Sequence, residues 1–237
     1  MSAQFDEVSQ RGGNPSLMQR LRGVMGRPSP HRAQLDIAGR FSVLRTRLLQ
    51  EMGRQGARRL GVCPISDGAG ATYVAANLAL ATARLSHLDV FLVDLALGHP
   101  SMRMQLGVEG QQGFVLYLRG EGGKGSDLLT KIESEGNLNC VLPHRSTDRG
   151  AEILQDEGAR ERIGQLVESS NCDIAIFDLS PVLRTDEGLA ALPMMDAILL
   201  VADGRSGTGR DVAECQRLMA DMPPLLGVVL NKAELLG

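Results

Sequence analysis

The sequence is nearly devoid of aromatic residues. Tryptophan is absent, and two Tyr and five Phe make up 3% of 237 positions. An interior of stacked rings is excluded, so Leu, Val, Ile, Ala and Met must fill the core. No apolar run approaches the roughly 20 residues that cross a bilayer, and no apolar signal core follows Met1. Both absences point to the cytoplasm. Metal-ligand spacing is also missing: Cys63, Cys140, Cys172 and Cys215 sit in or beside apolar runs and read as buried free thiols. His31, His87, His99 and His144 are scattered, and no second pair joins Cys140 and His144 to make a metal site. The first 59 residues contain no lysine, yet hold eleven Arg against four acids, about +7; with a net charge of -3 overall, the remainder carries about -10. A basic arm on an acidic body points to a partner such as an anionic membrane surface or an acidic protein. Nucleic acid is not expected.

What is present centres on one stretch. Leu60-Gly61-Val62-Cys63 reads as a buried strand, Gly68-Ala69-Gly70-Ala71-Thr72 as a glycine turn, and the residues from Thr72 onward as a helix. Such a turn converges backbone N–H groups on one point at the positive end of a helix, which suits a phosphate. Thr72 supplies the hydroxyl that phosphate loops use to hold Mg²⁺. The lysine that normally precedes this hydroxyl and bridges the phosphates is replaced by Ala71. A methyl group carries no charge, so the amide lining is kept and the bridging cation is lost.

The length accommodates one well-cored domain with an appendage. Residues 1–33 read as a basic arm: a polar start at 1–13, a short amphipathic segment presenting Leu17, Met18, Leu21, Val24 and Met25, and an Arg27-Pro28-Ser29-Pro30 linker. Residues 34–237 read as the domain. A helix over 33–52 carries Ile37, Phe41, Leu44, Leu48 and Met52 at helical spacing. Apolar strands follow at 60–63, 89–94, 138–142, 172–178, 197–201 and 225–231, with helices over 72–85, 151–155, 161–170, 187–192 and 209–220; residues 98–135 read as loop-rich with short helices. Strands apolar throughout and alternating with helices predict an α/β fold, a mostly parallel central sheet with helices on both faces. Ligands of such sheets bind at the carboxyl ends of the strands. Asp94, Asp178 and the glycine turn all lie at such ends. Thr72, Asp94 and Asp178 are thus the expected Mg²⁺ positions, and Gly68, Ala69, Gly70, Ala71, Thr72 and Asn231 the expected ATP or ADP positions, with Asn231 placed where a base edge often sits. Gly120-Glu121-Gly122-Gly123-Lys124-Gly125-Ser126 has phosphate-loop composition, but no Ser or Thr follows Lys124 directly; it reads as a mobile surface loop.

Over residues 34–237 the sequence resembles the bacterial tyrosine autokinases (BY-kinases) of exopolysaccharide and capsule synthesis. These belong to the deviant P-loop group that includes the MinD and ParA ATPases. The resemblance rests on Gly68-Ala69-Gly70-Ala71-Thr72 with the following Ala75-Ala76-Asn77-Leu78-Ala79, on Val90-Phe91-Leu92-Val93-Asp94 with Pro100-Ser101, on Ala151-Glu152-Ile153-Leu154, and on Ala175-Ile176-Phe177-Asp178-Leu179-Ser180-Pro181, with Asp186 as the acid beyond. It implies Mg-ATP chemistry at Asp94 and Asp178, and work with a membrane polysaccharide co-polymerase. The departures are as specific. The family's second acid after Asp94 falls on Ala96 and its following Arg on Gly98; an oligomerisation motif falls on Gly39, Ser42 and Arg45, keeping one charge; the C-terminal tyrosine cluster is missing. Losing one electrostatic stabiliser costs on the order of 10²–10³ in rate. Three readings follow: a degenerate regulatory partner of a co-polymerase or of a kinase; an active tyrosine kinase or slow ATPase whose cation comes from Lys124, Lys131, Lys232 or a neighbouring copy in a homo-oligomer; and a MinD- or ParA-like positioning protein.

Overall fold

The computed structural model describes residues 30–132 and 137–233. The amphipathic segment expected within residues 1–29 lies outside them, as does the end of the chain. The residues from Arg40 onward form one compact unit, which contains the sheet. Helix α1 is Pro30–Gln55, nearly a turn longer at each end than the 33–52 reading. In chain order there follow β1 (Arg59–Pro64), α2 (Ala71–Ala83), β2 (Val90–Asp94), α3 (Met102–Leu106), α4 (Phe114–Leu118), β3 (Thr130–Ile132), β4 (Leu138–Val141), α5 (Gly150–Gln155) and α6 (Glu157–Ser169). The last elements are β5 (Ile174–Asp178), α7 (Asp186–Ala191), β6 (Ala197–Asp203), α8 (Gly209–Leu218) and β7 (Leu225–Asn231).

The strands form one sheet in the order β3-β4-β2-β5-β1-β6-β7. Every neighbouring pair is parallel except β3 with β4. Alternation within each strand divides the interior between two faces. Val90, Leu92, Leu60 and Val62 pack with Leu48 and Met52 of α1 and the alanine-rich α2. Phe91, Val93 and Phe177 pack with Phe114, Ile163 and Ala190 on the other side, under α4 to α8. Small side chains along α2 let it lie close to the sheet, burying Val74, Ala75, Ala76, Leu78 and Ala79. Arg45 Nη1 donates to the carbonyl of Ala81 at 2.8 Å, so the charge kept from the oligomerisation motif fastens α1 to the end of α2.

Phe114 to Leu118 is one of the short helices expected within 98–135; Phe114, Tyr117 and Leu118 are buried on one side at helical spacing. One departure from the sequence reading is local. Residues 130–132 form a three-residue antiparallel edge strand inside the stretch read as loop; too short for a periodic signal, it is recruited by the edge of β4. The loop at Gly120–Ser126 ends in a 3₁₀ turn at Gly125–Leu128 and does not join a strand to a long helix. All four cysteines are buried and free.

Phe177 stands at the middle of the sheet and is fully buried. Phe177→Ala should cost about 3–5 kcal/mol in urea unfolding, whereas Leu116→Ala, at a 45% exposed position, should stay within about 0.5 kcal/mol.

Candidate nucleotide and metal site

β1 ends at Pro64 and α2 begins at Ala71, so six residues turn the chain from the sheet edge into the helix. Gly68 and Gly70 take φ of 72° and 87°, in the left-handed region that glycine enters without steric penalty. A Cβ at Gly70 would also collide with Asn231 Nδ2. No side chain caps α2. Its first-turn amides therefore remain available to an anion, with the helix dipole behind them. The turn lines a cavity of about 750 Å³ shared with Ala96, Ser101, Ser180, Arg184 and Glu187.

The two strand-end acids converge as predicted. Asp94 and Asp178 are direct neighbours in the parallel β2–β5 register. Both are buried, at 0% and 1% exposure. Asp94 is well held: its Oδ1 accepts from the Ala96 amide at 3.0 Å and its Oδ2 from the Met102 amide at 3.2 Å. Neither oxygen of Asp178 accepts a hydrogen bond from a described residue. Burial raises the pKa of both above the usual carboxylate range; for Asp178 the charge of Asp94 adds to this and the nearby Thr72 hydroxyl opposes it. Thr72 Oγ1 accepts from Ser101 Oγ at 3.2 Å. A buried carboxylate with no protein donor, beside a second acid and a threonine hydroxyl, is a donor set of hard oxygens suited to Mg²⁺. The residues present fit that ion.

Ala71 is 4% exposed and packs into the core beneath α2. Of the lysines considered above, Lys232 reaches the turn: its Nζ donates to the Gly68 carbonyl and pairs with Asp203 Oδ2 at 3.0 Å. Asn231 Nδ2 donates to the Ala69 carbonyl at 2.9 Å, so this residue grips the turn's backbone. Lys124 precedes the 3₁₀ turn, and Lys131 is exposed on β3. Ala96 and Thr72 both line the cavity.

Sequence reasoning missed Glu187. Asp186, taken as the acid beyond the strand, is exposed; Glu187 is the buried one. Ser180 Oγ donates to its Oε2 and the Gly98 amide to its Oε1 at 3.0 Å. Burial raises its pKa, and these donors partly offset the rise. Its carboxylate ties the segment after β2 to the segment after β5. A Cβ on Gly150 would collide with it, which explains the glycine at the start of α5. The only available signal was a helical one: Thr185 caps α7 through the Gly188 amide, which sets the helix phase and turns Glu187 inward.

A glycine turn and paired strand-end acids at one end of a mostly parallel sheet are the arrangement of a P-loop NTPase-like fold. No family model matches the chain, and no curated protein is similar to it in sequence. Solved structures share its fold. The kinase domain of the Escherichia coli tyrosine kinase ETK matches with a TM-score of 0.75 and 21% identity, over 84% of this chain and 77% of that one. The VpsO kinase domain gives 0.71 and 20%, over 92% and 98%. The septum site-determining protein MinD from Pyrococcus horikoshii, complexed with Mg-ADP, gives 0.58 and 19%, over 73% and 69%. The fold is therefore that of tyrosine-kinase domains and their MinD-like relatives.

Raised carboxylate pKa values have a definite sign. The folded chain holds these protons more tightly than the unfolded chain, so stability falls as pH rises from about 4 through the raised folded values. In chelator, melting temperature should drop between pH 5 and pH 8, and Asp178→Asn should flatten that drop and stabilise the fold at pH 8 by about 1–3 kcal/mol. Millimolar Mg²⁺ should restore the wild type and leave the variant unmoved. An unchanged pH profile in the variant would show that the Asp178 carboxyl is already satisfied.

Proposed function

We propose that this chain is a catalytically degenerate regulatory protein of exopolysaccharide assembly. It would act at the inner face of the membrane with a membrane polysaccharide co-polymerase or a kinase partner. The observation that carries this reading is position 71. There a buried methyl group stands where transfer chemistry needs a cation, inside a site whose amide turn and buried acids are otherwise intact. Ala96 adds to it, since this cavity-lining position offers no carboxylate.

The parts retained favour holding a nucleotide over turning it over. The turn's amides would take the phosphates, and Thr72, Asp94 and Asp178 would hold Mg²⁺. A bound Mg²⁺ neutralises phosphate oxygens and orients them. What this chain does not place at position 71 is a mobile charge that follows the transferring group. Binding energy realised equally in ground and transition states does not raise turnover. A nucleotide held without transfer would serve as a structural ligand that stabilises the partner-binding form.

One observation favours a second reading, a slow ATPase or tyrosine kinase. Arg184 lines the same cavity and is exposed. A guanidinium is a strong phosphate ligand, and it would partly replace the lysine.

Calorimetry with ATP and ADP in Mg²⁺, paired with radiolabelled ATP, separates the two. The expected result is binding without label transfer, and a gain of roughly tenfold in affinity for Ala71→Lys from a new charge-assisted contact. Label transfer by the wild type that Asp178→Ala and Arg184→Ala abolish would establish the enzyme. Pull-down against the co-polymerase's cytoplasmic segments tests the regulatory role, and failure to recover any of them would remove it.

A further inference from the structure

Beyond β2 and β4 the sheet edge opens into two adjoining clefts of about 630 and 360 Å³. They meet at His144, Arg145 and Ser146, in the loop after β4. Their walls carry five basic side chains: His99, Arg103, Arg119, His144 and Arg145. No Asp or Glu lines either cleft. This is the reverse of the surrounding surface, since residues 60–237 carry about -10. The arginine side chains also lack internal work. Arg103, Arg119 and Arg145 form no ion pair or side-chain hydrogen bond with described residues, and Arg103 Nε is buried without an acceptor. Elsewhere the same residue type is used up: Arg162 donates to the Leu118 carbonyl and Arg160 to that of Leu154.

His99 faces Glu187, and Arg119 also borders a cleft lined by Glu121, Glu152 and Asp156, so the charges without an acid beside them are those of Arg103 and Arg145. Like charges without a partner repel one another, and a buried guanidinium nitrogen without an acceptor costs stability. Both costs vanish when oxyanions enter. We propose that this groove binds an extended acidic polypeptide segment. Three features select that ligand. The arginine forks match carboxylates bidentately. Gln111 and Gln112 line the same groove and offer both donors and acceptors to a peptide backbone. The exposed Met104 and the half-buried Val115 add apolar contact for intervening side chains. No Phe, Tyr or Trp lines the clefts, so the large-ring stacking platform of a single-stranded nucleic-acid site is missing. A concave groove also differs from the protruding surface that a membrane requires. His99, Ser101 and Met104 line the larger cleft and the nucleotide cavity alike, which puts the acidic segment beside the phosphate turn. The groove's chemistry stands whether or not that turn takes a nucleotide.

The test uses the full chain and a fluorescein-labelled dodecapeptide alternating Glu with Gly and Ser, followed by anisotropy at 50 and 300 mM salt. Binding should be saturable and weaken at the higher salt. Arg119→Glu with Arg145→Glu, at two exposed positions, should reduce affinity at least about tenfold and leave Mg-ATP calorimetry unchanged. Arg103→Ala should weaken binding too; where it lowers the melting temperature, the exposed double variant decides. Replacing the peptide's Glu with phosphoserine distinguishes the source of the oxyanion: equal or tighter binding, lost in the same double variant, supports the groove. Equal peptide affinity in wild type and double variant overturns the proposal. So does exclusive binding to phosphatidylglycerol vesicles or to single-stranded DNA.

Discussion

The in-register pairing of β2 with β5 is the constraint on which the site depends. Parallel strands with the same phase deliver Asp94 and Asp178 side by side at one sheet edge. The β1–β5 register then sets the phosphate turn beside them, because Val62 stands opposite Asp178. A slip of one residue in either pairing would send a carboxylate to the other face of the sheet. The two-sided core prevents this. Phe91 and Phe177 are committed to one face and Val90, Leu92 and Ile176 to the other, so a slip would expose large side chains on both. The apolar core thus fixes polar chemistry at its rim.

The strand plan was legible because each central strand is an unbroken apolar run ending in a polar residue or a turn. Period-two ambiguity did not matter, since both faces are covered. Legibility failed where short elements depend on tertiary contact. β3 has three residues and exists through its pairing with β4. α4 has five; short helices were expected in its stretch, but its bounds depend on Phe114 and Leu118 being anchored in the core. Of the site, the glycine turn, Thr72, Asp94 and Asp178 could be read from position alone, since strand ends in parallel sheets share an edge. Glu187 could not. Two adjacent acids, Asp186 and Glu187, are equivalent on paper, and only the helix phase set by the Thr185 cap turns one of them inward. Asn231 was legible as a strand-end residue; its hydrogen bond to Ala69 depends on where β7 ends relative to β1, with β6 between them.

The phosphate turn is supported from outside. Asn231 and Lys232 hold two successive carbonyls of the turn, those of Ala69 and Gly68, and Asp203 neutralises the lysine. The amide between them, that of Ala69, donates to the Ser66 carbonyl at 3.2 Å, so the turn is closed from inside as well. In this chain the positive charge near the turn serves backbone geometry rather than the cavity. That division explains how a phosphate nest keeps its shape with alanine at position 71: the turn's conformation rests on Gly68, Gly70 and the β7 clamp, none of which requires a lysine in the helix.

Asp178 bears on what the site is for. A carboxylate buried without a protein donor is among the costlier groups a core can hold, and an apolar or amide replacement of similar size would relieve the cost. Asp94 does not share that cost in full, because two backbone amides meet it. The asymmetry is informative. A fold that had abandoned its site would gain from satisfying both acids or replacing them, yet here one is met by two backbone amides and its neighbour by none, with only the Thr72 hydroxyl close to it. A bound cation would resolve the asymmetry: Asp94 is held ready by its amides and Asp178 has acceptor capacity to spare. On the proposed reading, an alanine at position 71 would weaken transfer chemistry and leave the candidate ion site untouched, since the two rest on different residues. A protein can therefore lose turnover at position 71 and still be stabilised by ligand through Thr72, Asp94 and Asp178.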